Sequence, residues 1–375
     1  EPHIIMKFSI IREQILRPLT LVSGAVERRQ TMPILSNLLI KVTNKKLEIT
    51  GTDLEVELST TLPLNSKDAE KGEITVPARK FVDIFKSLPE GSLINFNYEG
   101  GKVVIQSGRS RYTLSTLPAI EFPSVQQDKD SVSVNLNQKK LSSLISRTSF
   151  SMAQQDVRYY LNGMLWEVNK NNLKAVATDG HRLAIAEIEL LDQLKGDKRQ
   201  FILPRKGIVE LSRLLSDEEG SINVEFGLNH IRATTSNMVF VSKLVEGKFP
   251  DYERVLPKGG DKEIIANTVE FKAALARSAI LSNEKFKGIR FSLSSNLVNI
   301  QANNPEQEEA QEDIVVKYQG DTIEMGFNVN YLIEVLGVLS SNECRITLSD
   351  SASSALVEDT DELNNAQYVV MPMRL

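Results

Sequence analysis

Two hydrophobic periods alternate along this chain. From Ser36, the run SNLLIKVTNKKLEITGTDLEVEL places apolar and polar residues in turn around a polar Asn-Lys-Lys bend, which predicts two short strands. From Val76, VPARKFVDIFKSLPEG changes period, and Phe81, Ile84, Phe85 and Leu88 fall on one stripe of a helix. Both patterns recur. LNGMLWEVNKNNLKAVATDGHRLAI (from Leu161) and GIRFSLSSNLVNIQANNPEQEEA (from Gly288) repeat the strand pair. LPRKGIVELSRLLSDEEG (from Leu203) repeats the helix, and FNVNYLIEVLGVLSSNE (from Phe327) does so more faintly. Thr52-Asp53 falls on Thr178-Asp179 and then on Asn303-Asn304, at spacings of 126 and 125 residues. The stretches REQILRPLTLVSGAV, NQKKLSSLISRTSFSM and VEFKAALARSAILSN supply a second helix to each copy. The chain therefore reads as three tandem homologous α+β domains of about 125 residues, each with two helices packed on antiparallel sheets. The expected bounds are 6–126, 132–252 and 253–375. Glu1 to Ile5 read as the remnant of an added leader before a natural start at Met6.

Composition changes this picture little. At 25% charged and 41% hydrophobic residues, the chain is of ordinary globular type, and no apolar run reaches the ~18 residues of a membrane span. Cys344 is the one cysteine, which excludes an intrachain disulfide and fits a reducing cytoplasm. With three histidines besides (His3, His181, His230), a His/Cys zinc site is not expected. A net charge of −5 argues against a surface that grips nucleic acid everywhere, but not against basic groups gathered on one face.

TDGHRL (Thr178 to Leu183) puts an Asp, a His and an Arg within four residues. The equivalent stretches are TDLEVE and NNPEQE, so the Thr-Asp pair recurs without the histidine. Asp179 then reads as a turn residue whose side chain accepts nearby backbone N–H groups. No GxSxG, HExxH, GxxxxGK[ST] or GxGxxG accompanies it, so no enzyme is expected.

Other segments carry a family resemblance. TMPILSNLLI, GTDLEVEL, TVPARKF, SGRSRYTLSTLPAIEFP, SFSMAQQDVRYYLNGM, VATDGHRLA, PRKG, GKFPDY, AILSNEKFKGIR, ANNPEQEEA and YVVMPMRL resemble the β subunit of bacterial DNA polymerase III, the replication sliding clamps. The likeness runs from Met6 to Leu375. It implies a DNA clamp fold and a homodimer closed head to tail into a ring around duplex DNA, with helices lining the hole. It further implies a processivity factor without catalytic site, metal or cofactor. Its partners would be the polymerase catalytic subunit, the clamp loader and other proteins carrying a clamp-binding peptide, in the cytoplasm and away from membranes.

The basic helix runs RKFVDIFKSL, RKGIVELSRL and QKKLSSLISRTSFSM suit such a lining, whereas NYLIEVLGVLSSNE has no basic residue. By resemblance, Arg29, Arg79, Gln155, Tyr159 and Lys206 are expected at DNA, with Tyr159 able to stack on an unpaired base. Ring closure would place Tyr112 and Leu114 against Ile280 and Leu281, and Arg109 and Arg111 near Glu306, Glu308 and Glu309. Tyr112 stands where the family pattern suggests Phe. A peptide groove would draw on Leu161, Thr178, Gly180, His181, Arg182, Leu183, Pro250, Val255, Ser354, Val369, Met371, Pro372 and Met373, with Arg158 and Tyr160 at its mouth. Ala352 stands where a larger aliphatic is expected, which suggests a roomier site. Two rivals remain open at this level: a hydrolase using Asp179 and His181, and a scaffold of the same domains that never closes.

Overall fold

The structure, a computed structural model, describes residues 5–375 except 30, 66, 68, 126, 127, 130 and 216–218. The expectation about the leading residues thus falls, Ile5 apart, outside the described residues. The first repeat runs β1 (Met6–Ile11), α1 (Arg12–Ser23), β2 (Asn37–Val42), β3 (Lys46–Thr52), β4 (Val56–Pro63), β5 (Gly72–Pro77), α2 (Ala78–Ser87), β6 (Leu93–Glu99), β7 (Lys102–Ser107) and β8 (Ser110–Ser115). The second runs β9 (Val132–Asn137), α3 (Gln138–Ser146), β10 (Met164–Val168), β11 (Asn172–Thr178), β12 (Arg182–Glu189), β13 (Arg199–Leu203), α4 (Arg205–Leu215), β14 (Ser221–Phe226), β15 (His230–Thr234) and β16 (Met238–Lys243). The third runs β17 (Lys262–Asn267), α5 (Thr268–Ala279), β18 (Gly288–Ser294), β19 (Leu297–Asn303), β20 (Glu309–Val315), β21 (Ile323–Asn328), α6 (Val329–Val338), β22 (Glu343–Leu348), β23 (Ala355–Asp359) and β24 (Ala366–Val370). Element for element, the three repeats agree, as the alternating periods imply.

The helices form for local reasons. On α2, Ala78, Phe81, Val82 and Phe85 are buried while Arg79, Lys80, Asp83 and Lys86 face solvent. Asn267 caps α5 by accepting the Glu270 N–H at 3.0 Å.

Two compact units cut across the repeats: residues 1–139 with 206–244, and residues 140–205 with 245–375. The first unit holds a four-stranded sheet, β1-β6-β7-β8, and an eight-stranded one, β5-β2-β3-β4-β16-β15-β14-β9. Phe8 stacks on Phe96 at 4.6 Å in its core, and Phe81 meets Phe96 edge-on at 6.1 Å. The second unit holds an eight-stranded sheet, β13-β10-β11-β12-β24-β23-β22-β17, and a four-stranded one, β20-β19-β18-β21. There Phe291 meets Phe271 at 6.3 Å and Phe327 at 5.7 Å.

Each eight-stranded sheet is two four-stranded sheets from successive repeats, joined edge to edge. At the first seam β4 pairs antiparallel with β16, from Thr60 opposite Met238 to Val56 opposite Ser242. At the second, β12 pairs with β24, from Arg182 opposite Val370 to Ala186 opposite Ala366. Joining the sheets satisfies amide and carbonyl groups that an open edge would leave to solvent. The strands in corresponding places, β8 and β20, each end a four-stranded sheet.

Candidate binding groove

The turn between β11 and β12 is built by its own side chains. Asp179 Oδ1 accepts the N–H groups of His181 at 2.9 Å and Arg182 at 3.1 Å. Thr178 Oγ1 donates to the Arg182 carbonyl at 2.6 Å and accepts from the Gly180 N–H at 3.2 Å. The first repeat does the same with different neighbours. Asp53 Oδ1 accepts from Glu55 and Val56, and Thr52 Oγ1 donates to the Val56 carbonyl and accepts from the Leu54 N–H. Both turns need a left-handed residue, Gly180 at φ +90° and Leu54 at φ +78°. Asp179 is a turn-builder, as its recurrence implies.

Gly180 earns its place twice. A Cβ there would stand 3.2 Å from the Arg158 guanidinium, which is itself fixed on Asp156 by two bonds of 3.1 Å. Beside this turn an apolar cluster gathers Leu161, Leu183, Phe249 and Val369, all buried, with Tyr160, Val255 and Leu356 partly buried against it. Met371 follows β24 with its N–H on the His181 carbonyl at 3.0 Å, and it is 36% exposed. Pro250 is exposed next to Phe249, and Ser354 and Pro372 are half-buried. All fifteen residues expected at the groove lie in the second compact unit.

Two of them point elsewhere. Met373 is held by its N–H on the Gly326 carbonyl at 2.7 Å, with its thioether beside Gly288. Arg182, expected as a polar edge, is buried. Its guanidinium pairs with Asp179 at 3.2 Å and Glu334 at 3.0 Å, and donates to the Phe150 carbonyl at 2.9 Å. The same group lies 4.4 Å from the Tyr331 ring centroid, and the His181 ring stacks on Tyr331 at 6.5 Å. Arg182 thus fastens the second repeat to the third at this turn. Ala352 lies exposed in a turn where its N–H meets Asp350 Oδ1 at 2.9 Å.

Sequence reasoning missed Phe249, Leu356 and Tyr331, and it missed a polar network at Tyr252. The Tyr252 hydroxyl donates to buried Glu167 Oε2 at 2.8 Å, Gln200 donates to Oε1 at 2.8 Å, and Lys198 pairs with it at 3.1 Å. Burial pushes the Glu167 carboxyl up, but those three donors outweigh it and hold it below its ordinary value. The aromatic Phe249 and Tyr252 in GKFPDY were the one available signal.

The DNA candidates divide between the units. Arg29 and Arg79 are exposed in the first, and Gln155 and Tyr159 are exposed in the second, with Gln155 at φ +54°. Lys206 is held by three oxygens: the Ala25 carbonyl at 2.8 Å, Asp53 at 2.5 Å and Glu27 at 2.6 Å. Its ammonium is thereby spent on the first seam between repeats. At the interface candidates, Leu114 is buried, Tyr112 and Leu281 are half-buried, and Ile280 is 77% exposed. Arg109, Arg111, Glu306, Glu308 and Glu309 are all exposed. Among the described residues no cluster of three or more His, Cys, Asp or Glu could hold a metal, and no helix is long and apolar enough to cross a membrane.

Tandem α+β repeats whose sheets run on from one repeat to the next are the architecture of a DNA clamp. Profiles of the N-terminal, central and C-terminal domains of the DNA polymerase III β subunit match residues 6–126, 135–251 and 253–374. The beta sliding clamp of Pseudomonas putida is 56% identical over 370 residues, covering 99% of this chain and all of the relative. That of Escherichia coli is 49% identical over the same length. A Pseudomonas aeruginosa sliding clamp solved bound to griselimycin superposes with a TM-score of 0.95 at 56% identity, over 99% of this chain and all of that one. The chain belongs to the DNA polymerase III β subunit family, the β sliding clamps.

The Glu167 network makes a pH prediction. A carboxyl held below its ordinary value stabilises the fold above that value and loses the contribution as pH falls through its folded one. In Glu167→Gln, an amide N–H₂ would face the Gln200 and Lys198 donors. Wild type is expected to exceed this variant by about 1–3 kcal/mol at pH 7, with the gap closing below about pH 4. Urea titrations followed through Trp166, the single tryptophan and buried in the same unit, check this. An equal gap at both pH values would contradict it.

Proposed function

We propose that two copies of this chain close head to tail into a ring around duplex DNA, and that the groove docks short peptides of the polymerase, clamp loader and repair proteins. The observation that carries the ring is the repeat of one register at both seams. Counting across the sheets, Phe96 faces Ile105, which faces Tyr112. Val224 faces Ala233, which faces Phe240, and Ile346 faces Val357, which faces Tyr368. Tyr112, Phe240 and Tyr368 therefore hold one position, each aromatic. Phe240 lies opposite Leu58 at the first seam and Tyr368 opposite Ala184 at the second, both rings buried. Leu58 and Ala184 face Gly51 and Ala177 in the neighbouring strand, and the matching pair in the third repeat is Ala302 with Ala310. A second copy's β20 would then bring Ala310 over Tyr112 by the same rule. A head-to-tail contact that repeats one geometry closes on itself when the rotation allows.

Side chains around β20 support this reading. Ile280, Phe286 and Val315 are exposed apolar groups at 77%, 57% and 79%, of the kind that mark an interface. Exposed arginines at Arg109 and Arg111 would meet the Glu306, Glu308 and Glu309 run. Such pairs contribute only about 0–1 kcal/mol each, so strand pairing and apolar contact carry the closure.

A ring retains DNA by topology, so it needs few phosphate contacts, and tight neutralisation of many phosphates would oppose sliding. A net charge of −5 suits that economy. The groove reading is supported by Met371, exposed and bonded through its N–H to the His181 carbonyl at the turn beside the buried Leu161–Leu183–Val369 cluster, since flexible sulfur side chains accept varied ligands. The protein acts as a processivity factor in the cytoplasm and performs no catalysis of its own. The side chain that most invited a catalytic reading, Asp179, is occupied in building its turn.

Three outcomes are expected. Thr113→Cys combined with Glu309→Cys should form an intersubunit disulfide under mild oxidation, because the register sets them opposite. Thr113→Cys with Gln311→Cys, shifted by two, should link far less. Equal linking, or linking only of the shifted pair, would rule out the register. Protein loaded by a clamp loader onto nicked circular DNA should stay through gel filtration and leave when the circle is cut. Retention on the linear form would exclude a ring. Finally, a Gln-Leu-x-Leu-Phe peptide should bind in the micromolar range by calorimetry, and Met371→Ala should weaken it by about 1 kcal/mol or more. Unchanged affinity would remove Met371 from the groove.

A further inference from the structure

Of the chain's eight methionines, Met6, Met152, Met164, Met238 and Met325 are buried, and Met373 is half-buried. Only Met32, at 44%, and Met371, at 36%, are substantially exposed. Met32 precedes a short 3-10 helix of the first repeat. Met371 sits in the groove, next to a strand whose Val369 and Val370 are fully buried. Its backbone is fixed on both sides, by its own N–H on the His181 carbonyl and by the Met373 N–H on the Gly326 carbonyl. These bonds hold the Met371 backbone at the end of the sheet.

We propose that Met371 is an oxidation site, and that its conversion to the sulfoxide by a hydroperoxide switches off peptide docking at the groove. This rests on the groove reading above. The thioether sulfur attacks the peroxide, a sulfur–oxygen bond forms as the oxygen–oxygen bond breaks, and the peroxide leaves as water or an alcohol. Sulfur loses two electrons. A dithiol-dependent reductase reverses the step, with the dithiol becoming a disulfide and the oxygen leaving as water.

The chemistry has no better target on this chain. Cys344, the one cysteine, is buried, and burial pushes its thiol up to about 11, so little of the reactive thiolate exists at neutral pH. In the proposed groove, the new oxygen is a polar group on the residue two positions beyond Val369, which belongs with Leu161 and Leu183 to the apolar cluster beside the His181 turn. A hydrophobic anchor from a bound peptide would leave it without a hydrogen-bond donor. The feature that lets the site repack around several ligands is thus the one that exposes it to oxidation. Occupancy by a peptide should shield the sulfur.

The test begins with a Met32→Leu background, which removes the other exposed thioether. The protein is treated with hydrogen peroxide, and fragment mass spectra assign the added oxygen. Affinity for the Gln-Leu-x-Leu-Phe peptide is measured before and after. Met371 should gain its oxygen ahead of the five buried methionines, more slowly with peptide present, and affinity should fall by about ten-fold or more. Methionine sulfoxide reductase should restore it. In the Met371→Leu variant, whatever its own affinity, peroxide should produce no change. An oxidised Met371 with full affinity would overturn the inference, as would an equal loss in Met371→Leu. Failure of untreated protein to bind the peptide would instead overturn the groove reading and the inference with it.

Discussion

A β-sheet with an open edge carries a row of backbone donors and acceptors looking for partners, and this chain answers that need by repetition. At two places the edge of one repeat's sheet is completed by the edge of the next. Phe240 over Leu58 and Tyr368 over Ala184 show that the two seams use the same register and the same aromatic-on-aliphatic contact. A chain of three such repeats necessarily leaves one edge of each kind unmatched, on β8 and on β20. The proposed ring would follow from that remainder more than from any special surface.

Charge serves the seams as much as it serves a ligand. Lys206 binds the Ala25 carbonyl, Asp53 and Glu27, and Arg182 binds Asp179, Glu334 and the Phe150 carbonyl. Arg182 is buried and Lys206 is largely covered, and removing either would leave a well-covered carboxylate, Asp179 or Asp53, without its cation, which costs more than loss of a surface pair. The basic count of the sequence therefore overstates the charge available to DNA. A protein that must hold DNA without gripping it is served well by such an arrangement. Beside the second of these anchors, His181 stacks on Tyr331 and its carbonyl accepts the Met371 N–H, so the turn and the end of β24 are tied to the contacts that join the repeats.

Much of this was legible in the sequence, for identifiable reasons. Period-two and period-3.6 runs recurring at a near-constant spacing gave two helices and eight strands per repeat, because every copy buries the same faces. The recurrence of Thr-Asp without a histidine identified Asp179 as a turn residue, and its hydrogen bonds agree. Constant spacing failed in the third repeat. Thr52 pairs with Glu57 and Thr178 with Leu183, but Asn303 pairs with Glu309, one residue later. The pairing of Arg182 with Glu334 and of Lys206 with Glu27 was not legible because those partners lie far along the chain and follow no local pattern. Glu167 and Tyr252, 85 positions apart, were hidden for the same reason.

Amide hydrogen exchange of β8 and β20 as a function of protein concentration tests the closure most directly. If each edge is completed by another copy, the amides of both strands should be protected at high concentration and lose protection together on dilution. The β4–β16 and β12–β24 seams should stay protected throughout. Rapid exchange of β8 and β20 at every concentration would contradict the account.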